Sequence, residues 1–518
     1  MTRTADSARP GTPTVTLELL ANELRVRGIA CRVTGGPALV RGMSIDSRAT
    51  EMDNLFVCKG AAFKPAYLTA AIRRGASAFL CQTQAAAPAC DLSAPAELAA
   101  AAPDTPGLIV SDLRASMALI APIIYGHPDR ALRIVGVTGT KGKTTVTFML
   151  RSILRAAGME PSMVGSIEVD DGVERHESHN TTPEAPDLWR HLRNTVDSGR
   201  SVMIMEVSSQ ALKYDRVLGI TLDVGCFLNI GSDHISPIEH PNFEDYLASK
   251  LRIFDQSETA VVNLDTDHLV EVLKRAQTAG KLVTISSRRT DADLRADQIS
   301  VASEHIGFDI VERARRHEIA LGMSGLFNVD NALAAAALAR ELGVDYTAIA
   351  TGLSRARVPG RMERFRSPDG RIVSLVDYAH NELSFRLLFE SIESEYPDRY
   401  VIAVFGAPGD KAFDRRHELP RIAGKSADLL IYTEDDPGGE RVEDICAQLA
   451  DNTPTGTAFE IVVNREQAVE RAFEAARSHE GPALVLLLAK GDEHRQRRSD
   501  GYARIASDLE LARRHLES

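Results

Sequence analysis

Lys143, Thr144 and Thr145 follow a glycine-rich turn, Gly139-Thr140-Lys141-Gly142, which itself follows the apolar run Ile134-Val135-Gly136-Val137. A strand that feeds such a turn and then a helix aims backbone N–H groups and the helix N-terminus at one point, which makes a phosphate cradle. Lys143 adds a positive charge there, and the Thr144 hydroxyl suits Mg²⁺. The usual Walker pattern places glycine six residues before its lysine, and here that position is Val137. The variant TGTKGKT keeps the GKTT ending and the strand–helix context, so the expected ligand is a nucleoside triphosphate held by residues 139–145.

Further polar residues lie at the ends of apolar segments. Glu206 ends the run Val202–Glu206, where a lone carboxylate needs a partner or a metal. The segment 228–254, LNIGSDHISPIEHPNFEDYLASKLRIF, packs Asn229, Asp233, His234 and His240 into one loop and then presents Lys250 on an amphipathic stretch. Loops this rich in polar groups often serve a ligand, although His240 alone reads equally as a capping or solvent-facing residue. Asn180-Thr181-Thr182-Pro183 offers amide and hydroxyl groups, and taken alone it reads as a helix-capping turn.

These residues need a scaffold. At 518 residues the chain should divide into about three domains. The expected parts are a tail at 1–14 and domains at 15–125, 126–355 and 356–518. From residue 133 apolar strands alternate with helical stretches (IVGV, VMIMEV, LDVGCFLNI, TAVVNL), and after 356 the alternation resumes (IVSLVDYA, YVIAVFG, ADLLIYT, PALVLLLAKG). The expected class is therefore α/β, with a mainly parallel sheet in the centre and a second, Rossmann-like α/β unit at the C-terminal end. In such sheets ligands sit beyond the carboxyl ends of strands, where Glu206, Asn229, Asp377, Gly406 and Lys490 fall. A net charge of −12 argues against nonspecific nucleic-acid binding. No apolar run approaches a membrane span of ~18–20 residues, and the first residues lack a signal-peptide core. The six cysteines show no CxxC or zinc-like spacing, so free thiols in a reducing, cytoplasmic setting are expected.

The motifs TGTKGKTT, NTTPE, MEVSSQAL, LNIGSDHIS…YLASKLRIF, GLFNVDNALAA, VPGRMERF and VDYAH stand in one order across residues 134–380. Together they closely resemble the Mur ligase family, ATP-dependent amino-acid ligases of peptidoglycan precursor synthesis. SIDSRATEMDNLFVCKGAAFK near the N-terminus looks like that family's uridine-nucleotide domain. GAPGDKAFDRR, TEDDPGGE and AKGDEH fall where the members that add the third residue hold their amino acid. The resemblance implies ATP and Mg²⁺ as cofactors, with Thr144, Glu206 and a carbamylated Lys250 as metal ligands, Lys143 on the β/γ-phosphates, and His234 ordering the metal region. It implies Asn263, Asn328 and Arg361 at the nucleotide, with Asp377 and His380 lining the phosphate region. The substrate would be UDP-N-acetylmuramoyl-L-alanyl-D-glutamate. Ile45 and Ser47 would meet its uracil, and Asn180, Thr181, Thr182, Ser208 and Arg216 its muramoyl-dipeptide. Hinge closure near 352–360 and a monomeric state are also expected.

The same resemblance bears on the incoming amine. Members that add diaminopimelate read DNPR where this chain has Asp435-Asp436-Pro437-Gly438, and often carry glutamine where Tyr214 stands. Glycine cannot grip a distal carboxylate, whereas two adjacent acids favour an ammonium. L-lysine is therefore expected first and L-ornithine second, with Arg416 on the α-carboxylate and Asp435, Asp436, Gly491, Glu493 and Asp492 near the amine. Two other readings stay open: an amide ligase of a specialised peptide pathway, and a nucleotide-binding switch without catalysis.

Overall fold

A computed structural model describes residues 13–60, 62–83, 92–231, 235–236, 239–302 and 305–517. Three sheets carry the chain. Residues 31–110 supply a five-stranded sheet in the order Cys31–Thr34, Gly107–Val110, Ala78–Gln82, Asn54–Val57, Gly42–Ser44, parallel except for its first strand. Residues 133–321 supply eleven strands. Seven of them, Ser162–Val164, Val202–Glu206, Arg133–Thr138, Leu222–Phe227, Ser257–Asn263, Lys281–Ser286 and Leu294–Val301, run parallel in that spatial order. Antiparallel strands extend both edges. Residues 363–488 supply six strands, of which only Glu363–Arg366 is antiparallel.

The central strands are continuous apolar runs because helices cover both faces. Arg133–Thr138 lies between Val202–Glu206 and Leu222–Phe227, so the phosphate-type turn emerges from the middle of the sheet. The helix that follows, Lys143–Ala156, is held by two later helices, Asn328–Glu341 and Tyr346–Arg355. The first is alanine-rich and buried from Ala332 to Ala339, which lets it lie close to its neighbours. In the second, a Cβ on Gly352 would come within 2.3 Å of Ile153 Cα, so only glycine permits this approach.

The last sheet is tied to the central one beside the cleft. Glu395, at the end of helix Glu382–Glu395, accepts the Gly325 N–H at 2.8 and 3.0 Å, and Ser391 Oγ accepts the Leu326 N–H at 3.1 Å. These bonds hold the loop that opens helix Asn328–Glu341. At the other end, Lys59 pairs with Glu184 at 2.6 Å, joining the first sheet's loop to the turn after Thr182. Five cysteines are buried free thiols; Cys90 lies outside the described residues, as do most of the N-terminal tail and part of the Ala/Pro-rich stretch.

Candidate active site

A cleft of about 740 Å³ lies between the central sheet's carboxyl end and the C-terminal sheet. One wall is the 140–145 loop with Glu206, Asn229, Asn263 and the N-terminus of helix Asn328–Glu341; the other carries Arg361, Asp377, Tyr378 and His380.

The loop has the geometry its sequence implies. Gly139 and Gly142 have φ of +156° and +88°, and Gly142 leads directly into helix Lys143–Ala156. A Cβ on Gly142 would lie 2.3 Å from Asn331 Oδ1. Asn229 staples the turn: its Oδ1 accepts the Lys141 N–H at 2.9 Å, and its Nδ2 donates to Lys141 O at 3.1 Å. Lys143 Nζ folds back onto Gly139 O at 2.8 Å and Thr140 O at 3.3 Å. Substituting Gly142 with alanine forces an unfavourable φ and a clash, worth about 1–3 kcal/mol, so nucleotide affinity should fall by roughly 5- to 150-fold. Titration with ADP measures this, with a melting temperature lowered by no more than a few degrees as the control for folding.

Behind the loop, Glu206 is fully buried and accepts three bonds: from Thr144 Oγ1 at 3.1 Å, Ser166 Oγ at 3.1 Å and the Ser166 N–H at 2.8 Å. A Cβ on Gly165 would sit 2.5 Å from Glu206 Oε1, so a second glycine turn closes over the carboxylate. Ser166 is a lining residue that sequence reasoning missed; a glycine-serine turn there carried no periodic signal. Thr144 and Glu206 form the adjacent oxygen donors that a hard divalent cation takes, so this donor set fits Mg²⁺. Lys250 is only 2% exposed; its Nζ donates to Gly139 O at 2.9 Å and lies 4.8 Å over the Tyr246 ring. The structure thus gathers Thr144, Glu206 and Lys250 around the phosphate-type loop. His234 and Asp233 lie outside the described residues.

At the end of the cleft where the nucleotide is expected, Asn263 Oδ1 accepts the Asp265 N–H at 3.0 Å. Asn328 opens helix Asn328–Glu341 and lines the cleft, donating to Ser324 O at 2.6 Å and accepting from Asn331 at 2.8 Å. Arg361 stacks over Tyr378 at 4.4 Å. Asp377 accepts the N–H groups of Met362 and Ala379, and burial raises its pKa above the ordinary carboxylate value. Asp330, also unforeseen, lines this end; burial moves its carboxyl up to about 6.

Of the residues expected at the muramoyl-dipeptide, Asn180 and Thr181 line the cleft. Thr182 Oγ1 donates to Glu206 O and accepts the Ser208 N–H, and Ser208 caps the short helix Ser209–Lys213. Arg216 pairs with Glu184 at 3.0 Å and donates to Thr182 O. The Tyr214 ring is covered by Arg114 at 3.9 Å. Ile45 and Ser47 follow strand Gly42–Ser44 of the first sheet, with Ile45 against its core.

The acidic loop holds a surprise. Lys490, 1% exposed, donates to Asp436 Oδ1 at 3.0 Å, Glu493 Oε2 at 2.6 Å and Arg495 O at 2.8 Å. Burial works to lower its pKa, but the carboxylates of Asp435, Glu493 and Asp436 outweigh that and hold it up. The acids therefore already surround an internal ammonium. Arg416, expected at the α-carboxylate, has a partner within the chain. It is buried and doubly paired to Glu440 at 2.8 and 2.9 Å, with further bonds to Pro408 O and Gln448 Oε1. The pairing also pulls the Glu440 carboxyl down to about 2. Gly491 has φ +55° and packs on Gly360, in the link that leads into strand Glu363–Arg366 of the same sheet.

Comparison with known proteins agrees with this arrangement. Residues 137–339 match the Mur ligase middle domain, and residues 360–491 match the Mur ligase glutamate ligase domain. The chain is 35% identical over 476 residues to a UDP-N-acetylmuramyl-tripeptide synthetase of Bifidobacterium longum, covering 89% of each chain. It is 33% identical over 490 residues to a UDP-N-acetylmuramoyl-L-alanyl-D-glutamate–L-lysine ligase of Enterococcus faecalis, covering 92% of each. Among solved structures, a UDP-N-acetylmuramoyl-L-alanyl-D-glutamate–2,6-diaminopimelate ligase shares the fold with a TM-score of 0.62 at 23% identity, over 92% of this chain and 95% of that one. MurF from Acinetobacter baumannii does so with a TM-score of 0.64 at 17% identity, over 98% and 100%. With the loop, the buried glutamate and lysine behind it, and both domain matches in one chain, the protein belongs to the Mur ligase family.

Proposed function

We propose that the chain uses ATP to add a diamino acid, L-lysine before L-ornithine, to UDP-N-acetylmuramoyl-L-alanyl-D-glutamate in peptidoglycan precursor synthesis. The observation that carries this reading is the carboxylate cluster. Asp436 and Glu493 both pair with one ammonium, Lys490, and Asp435, whose carboxyl burial pushes above its ordinary pKa, stands beside them, so the two paired carboxylates by themselves leave an excess negative charge. Such a site rewards a second cation and penalises a second carboxylate. The nearby arginines do not cancel it, because each has its own acid: Arg497 pairs with Asp410, Arg498 with Glu434, and Arg465 with Asp508.

The chemistry moves a phosphoryl group and then an acyl group. The substrate's γ-carboxylate oxygen bonds to the γ-phosphorus of ATP, the bond to ADP breaks, and an acyl phosphate results. The amine then attacks the carbonyl carbon, inorganic phosphate leaves with its oxygen, and the nitrogen loses a proton. Both reactants are anions in the first step, so alignment and charge neutralisation dominate. Lys143 and the loop N–H groups would hold the β- and γ-phosphates, and Asn263 and Arg361 the nucleoside end. Arg216, Thr182 and Ser208 would hold the dipeptide. Mg²⁺, held by Thr144, Glu206 and carbamylated Lys250, would supply charge neutralisation between the two anions. The reading also makes the chain a cytoplasmic monomer; no described helix is long and apolar enough to cross a membrane.

Phosphate release tests the proposal. It should require ATP, UDP-N-acetylmuramoyl-L-alanyl-D-glutamate and L-lysine together. Release with a different acid or amine only would favour a specialised pathway, and nucleotide binding without release under any combination would favour a silent switch.

A further inference from the structure

One side chain joins the nucleotide wall of the cleft to the carboxylate cluster. Tyr378 follows strand Ile372–Asp377, lines the cleft, and donates its hydroxyl to Glu493 Oε1 at 2.6 Å. The other oxygen of Glu493 accepts from Lys490, so the carboxylate is held by two donors from its inner side while the side chain remains 39% exposed. On the nucleotide side, Arg361 stacks on the Tyr378 ring at 4.4 Å, and His380 Nδ1 lies 2.6 Å from Tyr378 O. His380 Nε2 in turn lies 3.5 Å from Lys141 Nζ of the phosphate-type loop. Burial first, and the Glu493 charge second, push the Tyr378 phenol far above its ordinary pKa, so it remains a donor at any working pH.

We infer that Tyr378 is a positioning residue whose hydroxyl fixes the Glu493 carboxylate toward the incoming amino acid while its ring seats Arg361 beside the nucleotide. This rests on Glu493 being a contact of the amino acid, as proposed above. Without the hydroxyl, Glu493 keeps only Lys490 and can swing between that ammonium and solvent. A partly exposed glutamate gains several rotamers in that case, and binding must order them again. The ring contact to Arg361 survives in phenylalanine, so the two functions of the side chain separate.

The experiment compares Tyr378→Phe, Tyr378→Ala, Glu493→Gln and the double variant Tyr378→Phe/Glu493→Gln in the full-length enzyme, by phosphate release. In Tyr378→Phe the KM for L-lysine should rise about tenfold, the scale of one hydrogen bond to a charged group. Its kcat and its KM for ATP should stay within about twofold. Tyr378→Ala should raise the KM for ATP as well, and the double variant should be no worse than Glu493→Gln alone. An unchanged KM for L-lysine in Tyr378→Phe overturns the inference, as does an equal rise in both KM values, which marks general loosening. If Glu493→Gln raises that KM and Tyr378→Phe does not, only the role of Tyr378 falls. If Glu493→Gln has no effect, or the wild type releases no phosphate with L-lysine, the reading of the amino-acid site falls and the inference with it.

Discussion

Lys250→Ala should lower turnover by at least about a hundredfold, the scale seen when a preorganised electrostatic group is removed from a phosphoryl-transfer site. Binding of the uridine-nucleotide substrate should be spared. Lys250 sits under the phosphate-type loop, almost wholly buried, with its nitrogen on Gly139 O. An ammonium there adds a positive charge beside the groups expected to hold Mg²⁺. Carbamylation of the neutral amine by CO₂ releases a proton and leaves an N–H, which can keep the Gly139 bond, together with a carboxylate that can serve the metal. Neither alanine nor methionine can be carbamylated, and methionine fills nearly the same volume. Lys250→Met therefore separates lost chemistry from a cavity: both variants should be inactive, and bicarbonate should rescue neither. Melting temperature and uridine-substrate affinity supply the controls. Full activity in either variant would remove the carbamate from the mechanism.

The second large effect concerns the amine. Across L-lysine, L-ornithine and meso-diaminopimelate, kcat/KM should fall in that order at fixed ATP and UDP-N-acetylmuramoyl-L-alanyl-D-glutamate. Loss of one well-formed charge pair is worth about 2–4 kcal/mol, so lysine should exceed diaminopimelate by roughly 30- to 1,000-fold. The structure adds a steric reason to the electrostatic one. Gly438 turns with φ +58°, and a Cβ there would lie 2.3 Å from Asp410 Oδ2 and 3.1 Å from Arg497 Cζ. The loop cannot carry an arginine at this position without moving Asp410 off Arg497. Arg441, the next candidate to grip a second carboxylate, is 74% exposed and leans toward Glu443. If diaminopimelate proves the better substrate, the acidic loop has been misread. Arg497 would then have to leave Asp410 to supply the grip.

What the sequence determined is local. The run Arg133–Thr138, the glycines at 139 and 142 and the helix from Lys143 follow one another in the chain, and each is specified by its own residues. β-branched residues favour a strand, positive φ requires glycine, and an amphipathic run makes the helix. The same holds for Val202–Glu206, Leu222–Phe227, Ser257–Asn263, Ile372–Asp377, Tyr400–Phe405, Leu429–Tyr432 and Ala483–Leu488, which are apolar runs of ordinary strand length. The strands Leu294–Val301, Ile306–Glu312 and Arg315–Leu321 are harder to read, because this sheet edge interleaves buried Leu294, Ile306, Phe308, Ile310, Ile319 and Leu321 with charged residues instead of forming continuous apolar runs. The pairings that decide chemistry were illegible for a different reason. Lys490 meets Asp436 across 54 residues, Tyr378 meets Glu493 across 115, and Arg416 is taken by Glu440 across 24. A motif shows that an arginine or an acid is present; it does not show which opposite charge reaches it first. That depends on how buried groups share a limited set of partners once water has gone, because an unpaired buried charge costs several kcal/mol. Only the packed structure solves that competition, and here it gave Arg416 to Glu440 and an internal ammonium to the acids of the 435–436 loop.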